Sequence, residues 1–217
     1  MIFEHLVVGM LRTNCYLLGD ERSRRAAVID PGGAGGRICS RIRDLGLELA
    51  AILNTHAHYD HIVAAWTLKK ELGGEIYLNP ADQPLLLQVI FGLAMRFHPE
   101  IRPVAPDEID RKPIEGDILE FGEVRIEVLE TPGHTPGHVS YYLSNHGIVF
   151  SGDTIFAGSI GRTDFPGGSH DQLLYSVRTK ILTLPDRTAI YPGHGPKTTV
   201  GKEKRTNPFF SQDFGRM

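Results

Sequence analysis

Three histidines and one aspartate lie within seven residues of this chain, in the run THAHYDH that ends at His61. Imidazole nitrogen and carboxylate oxygen together suit zinc, iron or manganese, because the first is a borderline donor and the second a hard anionic one. In extended backbone alternate side chains point the same way, so we expect His56 and His58 to hold one ion. Asp60 and His61 lie where a helical pattern begins and would face a second ion. The run therefore predicts a site for two metal ions.

Short apolar segments that end in loops would position these donors and several others downstream. The strand-like segment LELAAILN precedes the histidine run, and VRIEVLE, GIVFSG and TAIYPG each end near a further ligand-type residue. Loops that contain Gly and Pro at strand ends are where a rigid scaffold usually displays reactive side chains. We therefore predict one set of metal ligands from all four places: His56, His58, Asp60, His61, His134, Asp153 and His194.

The order of these motifs resembles that of the metallo-β-lactamase superfamily over nearly the whole chain. The motifs are Asp30 in VIDPGG, the HxHxDH run, His134 in TPGHTPGH, Asp153 in SGDT and His194 in PGHG. The resemblance implies a first ion bound by His56, His58 and His134. It implies a second ion bound by Asp60, His61 and His194, with Asp153 bridging the two.

The tetrapeptide TPGH occurs twice in tandem, so two histidines compete for one ligand position. The family pattern favours the first copy, which ends at His134. We therefore expect His138, at the end of the second copy, to begin the following strand VSYYL instead of binding metal.

The apolar patterns predict an α/β chain. Strands are expected near 2–8, 15–19, 26–30, 51–54, 75–78, 124–130, 139–144, 147–151 and 188–191. Helices are expected near 36–45, 61–72, 82–96 and 170–183, the last with a capping-box start at Ser169. The family resemblance implies a four-layer αββα sandwich. The length predicts a single domain over residues 1–217. The short segment after His194 leaves little room for a separate C-terminal helical domain that binds glutathione.

Composition and termini limit the classes of partner and location. A formal charge of -3 offers no electrostatic attraction to nucleic acid or to an anionic membrane. The start MIFEHLVVGM lacks the basic and long apolar regions of a signal peptide, so we expect a cytoplasmic protein. Cys15 and Cys39 have no CxxC spacing and are expected to be reduced, structural thiols. The apolar stretch from Pro84 to Met95 is too short to span a bilayer, and we expect it to face the core or a substrate cleft.

The glycine-rich run DPGGAGGR links a predicted strand to a predicted helix, as phosphate-binding loops do. It has neither the GKS or GKT ending nor the GxGxxG spacing of those loops. We therefore interpret it as a tight turn that brings Asp30 beside the metal ligands.

The segment FAGSIGRTDFPGGSHDQLLYSVRTKILTLP indicates the substrate class, because it resembles glyoxalase II-type hydroxyacylglutathione hydrolases. That resemblance implies hydrolysis of a thioester, S-lactoylglutathione or a similar hydroxyacyl thioester, with two divalent metal ions as cofactors. Zinc is expected, with iron or manganese as alternatives. Asp60 and Asp153 are the expected catalytic residues, which would hold and orient the attacking water. Arg162 would bind a substrate carboxylate, or it would pair with a neighbour such as Asp164.

Several alternatives stay open. The same segment also resembles persulfide dioxygenases, in which one iron would be held by His56, His134 and Asp153. A lactonase would need the same activated water, and a non-catalytic metal-binding scaffold would keep the ligands without turnover. The resemblance favours β-lactam hydrolysis less, because the β-lactamases with cysteine at the Asp153 position lack this bridging carboxylate. We expect a small-molecule thioester as partner, with no nucleic acid and no membrane, and the oligomeric state is left open.

Overall fold

The described part of the chain forms two mixed β-sheets, a separate β-hairpin and the helices that connect their strands. The computed structural model describes residues 1–91 and 104–211, and of residues 88–91 it describes the backbone. The described chain divides into two compact units. The first comprises residues 1–113 and 119–125, apart from 92–103, and the second comprises residues 114–118 and 126–211.

The sheet of the first unit has five strands in the order of the chain. They are β1 (Ile2–Val8), β2 (Thr13–Gly19), β3 (Arg25–Ile29), β4 (Glu48–Leu53) and β5 (Glu75–Tyr77). The first three pair antiparallel, whereas β3, β4 and β5 pair parallel. Because the carboxyl ends of parallel strands meet at one edge of a sheet, Asp30 after β3 and the histidine run after β4 share that edge.

The helices of the first unit are α1 (Gly35–Asp44), α2 (Tyr59–Ile62), α3 (Ala65–Leu72) and α4 (Gln83–Phe91). The prediction of one helix over 61–72 is wrong, since the region forms two helices and the first begins at Tyr59. The physical reason is that the Ala64 N–H donates to the carbonyl of Pro31, at 2.9 Å, instead of to the carbonyl one turn earlier. Of the predicted helix 82–96, residues 92–96 lie outside the described residues.

Buried aliphatic side chains from one face of this sheet pack with those of α1 and α3 and form a core of the first unit. Strand β2 is buried along its whole length, as expected for an inner strand. Cys15 on β2 and Cys39 on α1 are free and buried, and burial raises the pKa of both thiols. Both cysteines are therefore unreactive core residues, as the sequence predicts.

The second sheet has six strands: β6 (Ile118–Phe121), β7 (Val124–Glu130), β8 (Val139–Leu143), β9 (Ile148–Gly152), β12 (Ala189–Pro192) and β13 (Thr198–Thr199). Their order across the sheet is β13-β12-β9-β8-β7-β6. The strands β10 (Ile155–Phe156) and β11 (Ser159–Ile160) form a separate hairpin. Strand β8 pairs antiparallel with β7 and with β9, and β9 pairs parallel with β12. Strands β7, β9 and β12 therefore run in one direction, and their carboxyl ends lie at one edge.

The second unit has a helix after the hairpin and another near the end of the described chain. Helix α5 (His170–Ser176) continues as a π-helical turn over Val177–Ile181, and α6 covers Val200–Thr206. The side chain of Ser169 accepts from the Gln172 N–H, as predicted for an N-cap. Among residues 1–91 and 104–211, no helix is long and apolar enough to cross a membrane.

Candidate functional site

The loop after β4 brings the four predicted ligands of the first unit together. The Nε2 atom of His56 lies 3.1 Å from Nδ1 of His58, and the rings of His56 and His61 have centroids 4.2 Å apart. The carboxylate of Asp60 lies 3.6 Å from Nε2 of His61 and accepts a hydrogen bond from the Thr13 hydroxyl at 3.1 Å. These four side chains therefore form one cluster of nitrogen and oxygen donors.

Asp30 orients this cluster although it follows a different strand. It is buried and has a φ of 51°, a left-handed conformation that aspartate tolerates better than most residues. Its carboxylate accepts from the backbone N–H and the hydroxyl of Thr55, each at 2.8 Å, and from Nδ1 of His61 at 3.0 Å. His61 is thereby held in the tautomer whose Nε2 lone pair is available to a metal ion.

The tautomer of His56 follows from the same carboxylate. The Thr55 hydroxyl uses its hydrogen on Asp30, so it must accept from Nδ1 of His56, which lies 3.0 Å away. Nε2 of His56 then carries a lone pair. A second buried carboxylate, that of Asp82, accepts from the Ala57 N–H at 3.0 Å and supports the backbone between the two histidines. Sequence reasoning missed Asp82, because it lies in a short turn with no motif around it.

Replacing Asp30 with alanine is expected to weaken the binding of a metal ion, measured with zinc, about 10- to 100-fold, because His61 and Thr55 lose the acceptor that orients them. A loss of stability of about 1–3 kcal/mol should accompany it, since a buried N–H is left unpaired. Competition with a chromophoric chelator and urea unfolding measure the two effects. Asp44→Ala is the matched control, because Asp44 is exposed, and it should leave both quantities unchanged. Unchanged zinc affinity in Asp30→Ala would contradict the role assigned to Asp30.

The predicted ligands of the second unit follow the three strands that run in one direction: His134 after β7, Asp153 after β9 and His194 after β12. An oxygen of Asp153 lies 3.7 Å from Nε2 of His134 and 3.6 Å from Nε2 of His194. Nδ1 of His134 donates to the carbonyl of Arg162 at 2.7 Å, which leaves the lone pair on Nε2. Asp153 and Nε2 of His134 and His194 thus form a second cluster of donors.

His138 supports the backbone of Asp153. Its ring is fully buried, and its Nε2 accepts from the Asp153 N–H at 3.1 Å. Its Nδ1 lies 2.9 Å from the hydroxyl of Thr131 and 3.1 Å from that of Thr154. Because Nε2 accepts, the neutral ring carries its hydrogen on Nδ1 and donates it to these hydroxyls. As predicted, His138 directly precedes β8, but sequence reasoning missed this supporting role.

The side chain of Arg162 makes the pairing that the sequence offered as an alternative. It forms two hydrogen bonds to Asp164, at 2.9 and 2.7 Å, and lies over the ring of Phe165. These hydrogen bonds lower the pKa of the Asp164 carboxyl. Gly161, just before it, must be glycine, because a Cβ there would lie 1.8 Å from the carbonyl oxygen of Asp153. This loop therefore packs on the backbone of a predicted ligand.

The donors and their spacing fit metal binding. Two donors at ~2.1 Å from one tetrahedral ion lie about 3.4 Å apart. The Asp153 oxygen lies 3.6–3.7 Å from two histidine nitrogens, which is longer than a hydrogen bond and close to this spacing. The histidine and aspartate groups of the described residues are therefore able to bind a metal ion.

Comparison with known proteins places the chain in a family. The model of the metallo-β-lactamase superfamily matches residues 8–194, and the chain belongs to this superfamily. Hydroxyacylglutathione hydrolase GloC of Haemophilus influenzae is 42% identical over 212 residues, which cover 97% of this chain and 99% of GloC. The mitochondrial persulfide dioxygenase ETHE1 of Bos taurus is 35% identical over 201 residues, which cover 90% of this chain and 70% of ETHE1.

Solved structures confirm the predicted α/β fold as that of the metallo-β-lactamases. The BLEG-1 B3 metallo-β-lactamase superposes with a TM-score of 0.86 and 37% identity, and the match covers 97% of this chain and 100% of BLEG-1. TTHA1623 in a di-iron-bound form has a TM-score of 0.82 and 39% identity, covering 95% of this chain and 100% of its own. The protein is thus a member of a metallo-hydrolase superfamily with groups that can bind metal.

Proposed function

We propose that the protein is a metal-dependent hydrolase that cleaves a hydroxyacyl thioester, with S-lactoylglutathione or a close analogue as substrate. Similarity to a hydroxyacylglutathione hydrolase over almost the full length of both chains carries this proposal. The donor atoms support it, because two clusters of nitrogen and oxygen ligands suit activation of water. The single domain, the cytoplasmic location and the small-molecule thioester as sole partner belong to the same proposal.

We further propose that the two donor clusters form one binuclear centre in the folded protein. Its ligands would be those implied by the family resemblance: His56, His58 and His134 for one ion, Asp60, His61 and His194 for the other, and Asp153 for both. Zinc is the metal proposed. The di-iron form of a neighbour makes iron the alternative to measure first.

The proposed reaction adds water to the acyl carbon and breaks the carbon–sulfur bond, giving a carboxylic acid and a thiol. Bound divalent cations would supply Lewis acidity and lower the pKa of water toward neutrality. Asp60 and Asp153 would orient the attacking water through their carboxylate oxygens. The Thr13 hydroxyl fixes one oxygen of Asp60, and the His138 ring fixes the backbone of Asp153. A thiolate leaves readily, so the sulfur needs little help from a general acid.

A substrate panel on metal-analysed protein tests this proposal. S-lactoylglutathione, a thioester without glutathione, a lactone, the β-lactam nitrocefin and glutathione persulfide would be assayed with the same preparation. We expect two metal ions per chain and turnover of the glutathione thioester without oxygen uptake. Nitrocefin belongs in the panel because a structural neighbour is a B3 metallo-β-lactamase. Turnover of nitrocefin or the lactone alone would overturn the proposed substrate class.

Similarity to a persulfide dioxygenase supports one rival function, oxidation of glutathione persulfide by oxygen at a single iron. Its ligands would be His56, His134 and Asp153, which belong to both sets, so ligand identity does not separate the two functions. Metal analysis together with oxygen uptake, measured with an oxygen electrode, separates the two functions. One iron per chain with oxygen uptake on glutathione persulfide would reject the hydrolase.

Arg162 offers a test of glutathione as the thiol carrier. If it binds a substrate carboxylate, Arg162→Ala should raise KM for S-lactoylglutathione about tenfold and leave kcat nearly unchanged, because binding is lost equally in ground and transition states. A thioester without carboxylates should show no change. Asp164→Ala frees the same guanidinium and serves as the matched control. An equal change in KM for both substrates would show that Arg162 only supports the loop.

A further inference from the structure

A cavity of about 280 Å³ in the first unit borders Asp60. Its lining comes from the β1–β2 turn at 9–11, the glycine-rich segment at 32–34, and the residues Tyr59, Asp60 and Val63. All of these segments belong to the first unit. The cavity therefore adjoins Asp60, one of the two residues proposed to hold the attacking water.

Glycine backbone forms the floor of this cavity. A Cβ on Gly32 would lie 1.5 Å from the carbonyl oxygen of Asp60, and a Cβ on Gly9 would lie 2.6 Å from that of Gly32. Such distances exclude any side chain, so both positions require glycine. The run DPGGAGGR has no nucleotide motif. Besides turning the chain at Asp30, it lines this cavity. It shapes a smooth surface beside Asp60.

The walls of the cavity are apolar. Met10 and Leu11, at the tip of the β1–β2 turn, are 79% and 63% exposed. Two adjacent exposed apolar side chains at a cavity rim are typical of a surface that binds apolar groups. Among the described residues that line the cavity, Asp60 alone is charged. The chemistry of the lining thus suits an uncharged, apolar part of a substrate.

We propose that this cavity binds the acyl group of the thioester and favours acyl groups that are larger and more apolar than lactoyl. The proposal rests on the hydrolase function above. A lactoyl group has five heavy atoms, and at ~30 Å³ each, the share of a water molecule, it would fill about half of the cavity. A branched or aromatic hydroxyacyl group, such as mandeloyl, would fill the remainder and contact the apolar wall.

The test compares kcat/KM for S-mandeloylglutathione and S-lactoylglutathione. Wild-type protein should favour the mandeloyl thioester about tenfold, because filling an apolar pocket discriminates by that order. Leu11→Ser should reduce the preference about threefold through lost apolar contact. Ile114→Ser is the matched control, since Ile114 is also exposed, at 51%, and does not line the cavity.

Equal kcat/KM for the two thioesters, or a preference that Leu11→Ser leaves intact, would overturn the acyl site while the hydrolase function stands. Hydrolysis of neither thioester would overturn the proposed function and the acyl site together. Leu11 is mostly exposed, so the variant should fold, and an unchanged thermal midpoint would verify this.

Discussion

Replacing Asp153 with alanine is expected to lower kcat about 10³-fold and to reduce the metal bound per chain. Its carboxylate lies within 3.7 Å of His134 and His194, so its loss removes a donor from the cluster and the group proposed to orient water. Activity assays on S-lactoylglutathione and metal analysis after gel filtration measure the two effects. A non-catalytic scaffold has no turnover to lose, and this variant therefore also separates an enzyme from such a scaffold.

Asp107→Ala is the control for this variant, because Asp107 is exposed and lies far along the chain from every predicted ligand. It should match wild type in activity and in metal content. If Asp153→Ala kept wild-type turnover with its metal intact, Asp153 would be neither a ligand nor a catalytic residue.

The second large effect is expected at His138, whose Nε2 accepts from the Asp153 N–H and whose Nδ1 lies beside the hydroxyls of Thr131 and Thr154. His138→Leu removes the acceptor of the Asp153 N–H, at a cost of about 1–3 kcal/mol for a buried group left unpaired. It also removes the Nδ1–H that the hydroxyls of Thr131 and Thr154 accept. We expect kcat to fall about 10- to 100-fold, as when an outer-shell partner of a metal site is lost. Thermal unfolding and steady-state kinetics measure both consequences.

His138→Gln distinguishes positioning from mere packing. The Gln carbonyl oxygen can accept at the place of Nε2, so this variant should recover most of kcat, whereas leucine should not. Comparable losses in both variants at equal thermal stability would contradict the positioning role. Nitrogen chemical shifts of the His138 ring offer an independent check, because they report which nitrogen carries the hydrogen.

The pattern of apolar residues predicted best the strands that end at the predicted ligands. The apolar segments before the histidine run, His134, Asp153 and His194 are β4, β7, β9 and β12. Short elements were missed, namely β6, the β10–β11 hairpin and β13, because two to four residues carry too little periodicity to be recognised. The break between α2 and α3 was also missed. It depends on a hydrogen bond from Ala64 to Pro31, over thirty residues away, which no local pattern reveals.

For the residues that orient the predicted ligands, the sequence likewise revealed one residue, and the structure was needed to reveal the contacts. Asp30 was noticed because it stands in a family motif, yet its bonds to Thr55 and His61 depend on the parallel pairing of β3 with β4. Asp82 and His138 carry no signal in the sequence that separates them from ordinary buried polar residues. Their roles depend on which backbone N–H groups the fold places beside them.

The sequence by itself determined which residues could bind metal, their order along the chain and the family, because spacing within a loop and recurrence at strand ends are local properties. Tertiary structure alone decided which nitrogen of His56, His61 and His134 keeps its lone pair, since hydrogen bonds that lead to residues distant in sequence set each tautomer. Those residues are Asp30 for His61 and, through the Thr55 hydroxyl, for His56, and Arg162 for His134. It also decided that the glycine-rich run forms the floor of a cavity at Asp60. Close approach between backbones is a property of three dimensions, and no spacing along the chain encodes it.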